Sequence, residues 1–362
     1  MLSLIIRRIL WMFPTLLVIS IISFAIIQLP PGDFITHRIQ AMEARGLPTS
    51  LEEVAYLRRL YNLDDPFGVK YAKWLNDLLP FGFKRTDSGE HLHRTNPDGT
   101  KSFNWPQFKW PDMGVSMEHE KPVSQLIGER LLLSMSISIA TLLFVWSIAI
   151  PIGIYSAVRQ YSLFDYFFTF LGYIGISTPG FLVALVLMYV AQEVWGVDVG
   201  GLFSTKYQTA PWSWGKFVDL LKHIWVPMIV LGIGGTAGMI RVMRGNLLDE
   251  LRKQYVLTAR AKGLKRVKLL LKYPVRIAIN PIISTIGWLL PGIVSGSVIV
   301  SVVMNLPTVG PLQLSALFSQ DMYMAGSIIM LMATLTVIGT LISDILLVVV
   351  DPRIRYERRG AS

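Results

Sequence analysis

Few residues in this 362-residue chain have the types and spacing that catalysis or ligand binding requires. The run GTKS at 99–102 matches only the end of a phosphate-binding loop, because the earlier glycine is missing at the required spacing. His91 and His93 could ligate a metal, but no cysteine or acidic partner stands at a known spacing, which favours solvated histidines. We therefore predict no catalytic, cofactor-binding or metal-binding residue.

One ionisable residue falls inside a long apolar run. Asp344 lies in the run 325–350, where a charge is costly and a functional role is one interpretation. It stands near the end of that run, close to the charged residues of 351–355. A structural pairing, or a side chain that reaches toward the membrane surface, is therefore the favoured interpretation of Asp344.

The most distinctive stretch is the basic, amphipathic segment 246–281, which lies between two apolar runs. Apolar residues recur in it at i, i+4 spacing and predict one helix with a buried stripe, whereas most basic residues fall outside that stripe. The stripe is formed by Leu247, Leu251, Tyr255 and Ala259. Gly263 follows Lys262 where a left-handed C-terminal cap would end the helix.

A second short amphipathic helix is predicted directly after Gly263. Val267, Leu270 and Leu271 fall on one side of it, and Pro274 should end or bend it. Two short helices joined at a glycine form a shape that is suited to docking on a partner.

Composition places these elements in a membrane. Hydrophobic residues make up 52% of the chain and charged residues only 16%, below the roughly 25% of soluble proteins. The net charge of +10 comes from basic residues beside the ends of apolar runs, which fits orientation in an anionic membrane rather than nucleic-acid binding. The absence of cysteine excludes disulfides and thiolate metal sites.

The predicted fold is an all-α, polytopic membrane protein with about six transmembrane helices, cytoplasmic amphipathic helices and an enlarged external loop between spans 1 and 2. Apolar runs long enough to cross a bilayer, which takes about 20 residues, lie at 9–29, 131–158, 167–191, 224–243, 282–304 and 325–350. Proline and glycine in the second and third runs predict kinked or closely packed helices. In the fourth run Gly232, Gly234, Gly235 and Gly238 indicate either ordinary close packing or a role in a pathway.

The same runs define the expected domains. Residues 1–30 form an N-terminal transmembrane helix, which is too long and too poorly cleavable for a signal peptide. Residues 31–130 form an external loop or subdomain with an insertion at 80–111, and 131–352 a five-helix transmembrane core that contains the basic amphipathic segment at 246–278. Residues 353–362 form a cytoplasmic tail, and the distribution of arginine and lysine puts both termini inside.

The string YVLTARAKGL at 255–264 resembles the cytoplasmic coupling motif of permease subunits of ABC importers, in the oligopeptide and dipeptide class. The strings LDDP at 63–66, DMGVS at 112–116 and DPRIRY at 351–356 are similar to the same family, so the resemblance covers nearly the whole chain apart from the insertion. Pro274 and the enlarged external loop depart from the family pattern.

The resemblance implies the machinery that the chain itself lacks. It implies a second homologous permease subunit, two ATP-binding subunits inside the cell that bind ATP and Mg²⁺, and an external solute-binding protein. This chain would then be a multi-pass subunit of a bacterial or archaeal cell membrane without its own ATPase site. The residues that the resemblance assigns to coupling with the ATP-binding subunit are Tyr255, Thr258, Ala259, Arg260, Ala261, Lys262, Gly263 and Leu264.

The sequence leaves the substrate open. The family class favours a peptide, whereas tryptophans such as Trp195, Trp212 and Trp214 in a predicted external loop are compatible with an oligosaccharide, and the class also includes nickel importers. An ion-driven secondary transporter is the alternative from another class. It would need membrane-buried ionisable residues, and only Asp344 qualifies in part.

Overall fold

A computed structural model describes residues 2–29, 32–44, 51–61, 63–84, 93–95, 101–196, 200–285, 292 and 297–350 of the chain. These residues are mostly helical. The helices are α1 (Leu2–Gln28), α2 (Phe34–Ala44), α3 (Leu51–Leu60), α4 (Phe67–Leu78), α5 (Val123–Val158), α6 (Leu163–Ser177), α7 (Gly180–Trp195), α8 (Trp214–His223), α9 (Trp225–Leu251), α10 (Gln254–Ala261), α11 (Arg266–Lys272), α12 (Pro274–Ala278), α13 (Asn280–Ser284), α14 (Val298–Val303), α15 (Val309–Phe318) and α16 (Met322–Val350).

Four helices in the described part of the chain are long and apolar enough to cross a membrane. They are Ile6–Gln28 within α1, α5, α9 and α16, and they confirm the predicted first, second, fourth and sixth spans. The helices of the second and fourth spans extend beyond the predicted limits, because α5 begins at Val123 and α9 continues to Leu251.

The predicted third span is broken rather than continuous. Helices α6 and α7 meet at an angle of 103°, so they count as a span only when taken together. Thr178 is extended and precedes Pro179, a position where the proline ring disfavours helical backbone. Part of the predicted fifth span 282–304, at 286–291 and 293–296, lies outside the described residues. Helix α13 overlaps the start of that span, and α14 lies near its end.

The chain divides into two compact units. The first comprises Met1–Glu129 and Leu312–Ala333. In it the buried Phe24 ring lies 5.3 to 5.4 Å from the rings of Phe67, Tyr71 and Trp74. The indole of Trp74 packs over Gly326, where an added Cβ would come within 2.9 Å of the ring. This glycine is therefore needed for a close approach of backbone to an aromatic ring.

A buried carboxylate holds the start of α16 to the 112–123 stretch of the first unit. Asp321 is fully buried and accepts hydrogen bonds from Ser116 Oγ at 2.6 Å and from the backbone N–H of Met324 at 3.1 Å. Burial raises the pKa of Asp321 above its ordinary value of 3.8, although these hydrogen bonds oppose the shift.

The insertion 80–111 adds the only strands among the described residues, so the all-α prediction needs a small correction. Strand β1 (Phe81–Gly82) pairs antiparallel with β4 (Gln107–Phe108), and β2 (His93–Thr95) pairs with β3 (Lys101–Phe103). At the base of the insertion, buried Lys109 lies 3.7 Å from the Asp77 carboxylate. Burial lowers the pKa of Lys109, and the neighbouring Asp77 charge opposes that shift.

The second unit comprises Arg130–Pro311 and Thr334–Ser362. One apolar cluster joins α7, α9 and α14 through residues such as Ala191, Val230 and Val300. Another joins α9 to α12 and α13 through Met243, Leu247 and Ala278. These clusters fix the position of the segment that follows α9.

Candidate functional site

The predicted coupling segment is a chain of short helices that begins where α9 ends. Helix α9 stops at Leu251, and α10 starts at Gln254. The prediction of one helix through the stripe from Leu247 to Ala259 is therefore wrong. The backbone breaks at Arg252 and Lys253, whose N–H groups bond to the carbonyls of Asp249 and Glu250, and Lys253 is extended.

The break divides the predicted stripe between two apolar clusters. Leu247 packs with the residues that hold α9 to α12, whereas Ala259 packs with Val256 and Leu269 in a separate cluster between α10 and α11. Tyr255 and Leu264 pack against that second cluster, and the Tyr255 hydroxyl donates a hydrogen bond to Glu250. Helices α10 and α11 therefore pack against each other, and the Tyr255–Glu250 hydrogen bond connects them to the end of α9.

Gly263 forms the turn between α10 and α11, as predicted. Its φ of +76° lies in the left-handed region, and its N–H donates to the carbonyl of Arg260 at 3.0 Å. Apart from its chain neighbours, no described residue lies within 4 Å of the place where a Cβ on Gly263 would stand. Among the described residues, the glycine is thus required by backbone conformation and not by crowding.

The eight residues assigned to coupling fall into two groups. Ala259 is buried, and Tyr255 and Leu264 are half-buried, so these three hold the helices together. The other five are exposed: Thr258, Arg260, Ala261, Lys262 and Gly263. These five are available to a partner.

The same segment exposes three large apolar side chains. Leu257 is 46% exposed, Val267 67% and Leu271 56%. The buried residue of α11 is Leu269, which the sequence analysis did not include in the apolar side of this helix. We use the name coupling surface for Leu257, Thr258, Ala261, Gly263, Val267 and Leu271. Apolar residues kept exposed among lysines and arginines are typical of a surface that another protein covers.

A charged pair that the sequence analysis missed connects α6 to α9. Arg244 donates to the Asp165 carboxylate from Nε at 2.8 Å and from a terminal nitrogen at 2.9 Å. Asp165 also accepts from the backbone N–H of Tyr161 at 2.9 Å, so the turn before α6 joins the same group. The paired geometry fixes α6 to α9 seven residues before α9 ends. The sequence signal that could have identified this pair was an acidic residue at the start of one apolar run, Asp165, and an arginine at the end of another, Arg244.

The last helix is held to the coupling segment at its end. Arg276 of α12 donates from Nε to the carbonyl of Val350 at 2.7 Å, which satisfies an unpaired carbonyl at the end of α16. Ser343 of α16 donates to the carbonyl of Ile283 at 3.1 Å. Asp344 is half-buried in the same helix.

The second unit also contains a cavity of about 560 Å³, which the sequence could not locate. Its walls are mostly apolar. Gly234, Gly235 and Gly238 of α9 and the small polar residues Ser138 and Thr141 of α5 line part of it, beside larger side chains such as Leu142, Met239 and Ile282. Among the described residues, an added Cβ on Gly238 would meet nothing within 4 Å, and one on Gly235 would make ordinary contact with Val145. Gly235 and Gly238 therefore line open space. Gly232 instead serves close packing, because an added Cβ there would lie 3.1 Å from the Phe144 ring.

Comparison with known proteins agrees with this architecture. Residues 149–356 match the model of the family described as binding-protein-dependent transport system inner membrane component. Residues 1–138 match the model for the N-terminal part of such membrane components. The chain therefore belongs to the family of inner membrane components of binding-protein-dependent transport systems.

Its relatives include named peptide permeases. The chain is 33% identical to the oligopeptide transport system permease protein AppB of Bacillus subtilis, over 97% of this chain and 99% of that protein. It is 27% identical to the dipeptide transport system permease protein DppB of Escherichia coli K12, over 99% of this chain and 100% of that protein. It is 28% identical to the oligopeptide transport system permease protein OppB of the same strain, over 98% of this chain and 100% of that protein.

Proposed function

We propose that this chain is a permease subunit of an ATP-driven importer and forms half of the translocation path for a peptide delivered by an external binding protein. The family membership and the peptide-permease names of its full-length relatives support the proposal. The single structural observation that carries it is the coupling surface, in which Leu257, Val267 and Leu271 are exposed.

Energy would come from ATP-binding subunits that cover this surface. The chain contains no complete phosphate-binding loop of its own. Movement of α10 and α11 would pass to α9 through the Tyr255–Glu250 hydrogen bond and the cluster around Leu247. The Arg244–Asp165 pair would then pass it to α6. Two discrete arrangements of these packed helices would be the outward-open and inward-open states.

The proposal includes a topology. Six spans with both termini in the cytoplasm would place the coupling segment inside and residues 31–130 outside, where a loaded binding protein arrives. The positive-inside rule supports this orientation, because Arg7, Arg8, Arg159 and the basic coupling segment would share one side. Four long apolar helices, with the bent pair of α6 and α7 as a fifth crossing, would supply five of the six crossings.

The test is to purify the chain from its native membrane in mild detergent and identify what remains bound. We expect a second permease subunit and ATP-binding subunits, and ATP-dependent uptake of a labelled peptide after reconstitution with the binding protein. Recovery of the chain alone, or uptake driven by an ion gradient without ATP, would overturn the proposal. If the binding protein retains an oligosaccharide or nickel, the chain is still a subunit of an ATP-driven importer, but its substrate is not a peptide.

A further inference from the structure

The cavity lined by α5 and α9 contains an arginine, Arg241, which an apolar packing defect would not contain. It is the one charged residue among the described residues that line the cavity. Its side chain is exposed and makes no hydrogen bond or ion pair within the described part of the chain. Arg244, three residues later on the same helix, is paired with Asp165. Arg241 lies near the end of the apolar run 224–243, and an arginine there that lines a cavity is a candidate for a functional contact.

We infer that Arg241 binds a carboxylate of the peptide as it passes through this cavity. The inference rests on the proposed function and deepens it by naming a contact in the path. A guanidinium offers a planar pair of N–H donors that matches a carboxylate, and every free peptide carries one at its C-terminus. The cavity volume of about 560 Å³ is in the range of small-molecule sites.

The remaining walls suit passage rather than tight retention. Gly234, Gly235 and Gly238 present backbone without side chains, and Ser138 and Thr141 are small. A single charge on such walls attracts the substrate without gripping the varied side chains that peptides carry. A neutral oligosaccharide gains little from Arg241, and a nickel cation is repelled by it, so the site favours the peptide alternative.

Thiol labelling tests the charge of the cavity directly, because the chain contains no cysteine. Thr141→Cys places a single thiol in the cavity wall, in a complex whose other subunits are also made cysteine-free. In nanodiscs of neutral phosphatidylcholine at low salt, we compare its rates with an anionic and a cationic methanethiosulfonate reagent. Removing one charge on the order of 10 Å away through water should lower the anionic-to-cationic rate ratio about fourfold.

We therefore expect Arg241→Gln to lower that ratio and Arg241→Lys to preserve it. The matched control is Arg159→Gln, which removes an exposed arginine outside the cavity and should leave the ratio unchanged. A ratio that does not respond to Arg241→Gln would mean that the arginine extends to lipid instead, and the inference would be wrong.

Uptake by the reconstituted importer provides the second test. Arg241→Gln should slow uptake of a tripeptide with a free carboxylate by about tenfold, with the subunits still assembled and Arg241→Lys partly active. If the unmodified assembly carries no peptide, the proposed function fails. If it carries peptide and Arg241→Gln carries it equally well, the function stands and this inference alone fails.

Discussion

Replacing Gly263 by valine should separate the coupling segment from an ordinary inner loop. Gly263 has a φ of +76°, and a side chain with a Cβ adopts that conformation at a cost of about 1–2 kcal/mol. The cost is conformational, since a Cβ would meet no described residue within 4 Å apart from the two chain neighbours. A shift of this size lowers the population of the correct turn by about fivefold to thirtyfold relative to its alternatives.

The matched control is Gly196→Val. Gly196 ends α7 with a φ of +61° and also has open space around its Cβ position, so the backbone strain is similar. We expect both variants to reach the membrane in similar amounts, because neither position lies inside a spanning helix. Gly263→Val should lose at least about fivefold in ATP-driven peptide uptake, with weaker retention of the ATP-binding subunit, whereas Gly196→Val should stay within about twofold.

Gly263→Asn separates strain from bulk. Asparagine tolerates the left-handed region better than valine does, so it should recover much of the uptake if the turn conformation is what matters. Equal loss in the asparagine and valine variants would show that the added bulk meets a partner. Equal uptake by Gly263→Val and Gly196→Val would refute the coupling assignment of this turn.

Three further predictions concern residues outside the coupling surface. Asp165→Asn should lower the stability of the purified protein by about 2 kcal/mol. This loss is smaller than that from breaking a fully buried ion pair, because Arg244 is partly exposed. In thermal unfolding, the double variant Asp165→Asn/Arg244→Gln should recover part of the loss. Gly326→Ala should cost about 1–3 kcal/mol by overpacking, since its Cβ would lie 2.9 Å from the Trp74 ring, and a smaller ring in Trp74→Phe should recover some of it. Because the pKa of Asp321 is raised, the stability that its protonated form contributes is complete below pH 3.8 and is lost as the pH rises through the folded-state pKa. Thermal unfolding midpoints measured from pH 4 to 7 should therefore favour the wild type over Asp321→Asn most at the acid end. A difference in midpoint that does not depend on pH would contradict this prediction.

Sequence pattern predicted the elements with long or local signals. Long apolar runs identified α1, α5, α9 and α16, and the glycine after a basic helix end identified the left-handed turn at Gly263. The string DMGVS at 112–116 stood out in the sequence by its resemblance to the family. The sequence did not show its physical reason, because Ser116 donates to Asp321, about two hundred residues later.

Sequence pattern failed where the outcome depends on tertiary contacts. The i, i+4 stripe continues through Arg252 and Lys253, although the helix breaks there and its two halves pack in different clusters. In α11 the choice between Leu269 and its apolar neighbours as the buried residue depends on where α10 lies. Arg241 and Arg244 look alike in the sequence, and only the structure shows that one is paired and the other lines a cavity.

Site-specific cross-linking tests the central claim, that the coupling surface carries an ATP-binding subunit. A photoactivatable maleimide on Val267→Cys in the cysteine-free chain should cross-link to that subunit in native membranes, and ATP should change the yield. The control is Trp110→Cys, whose position is 86% exposed in the other unit and should give no such product. Absence of a cross-link from Val267→Cys, with this position accessible to impermeant reagents from outside the cell, would contradict the account.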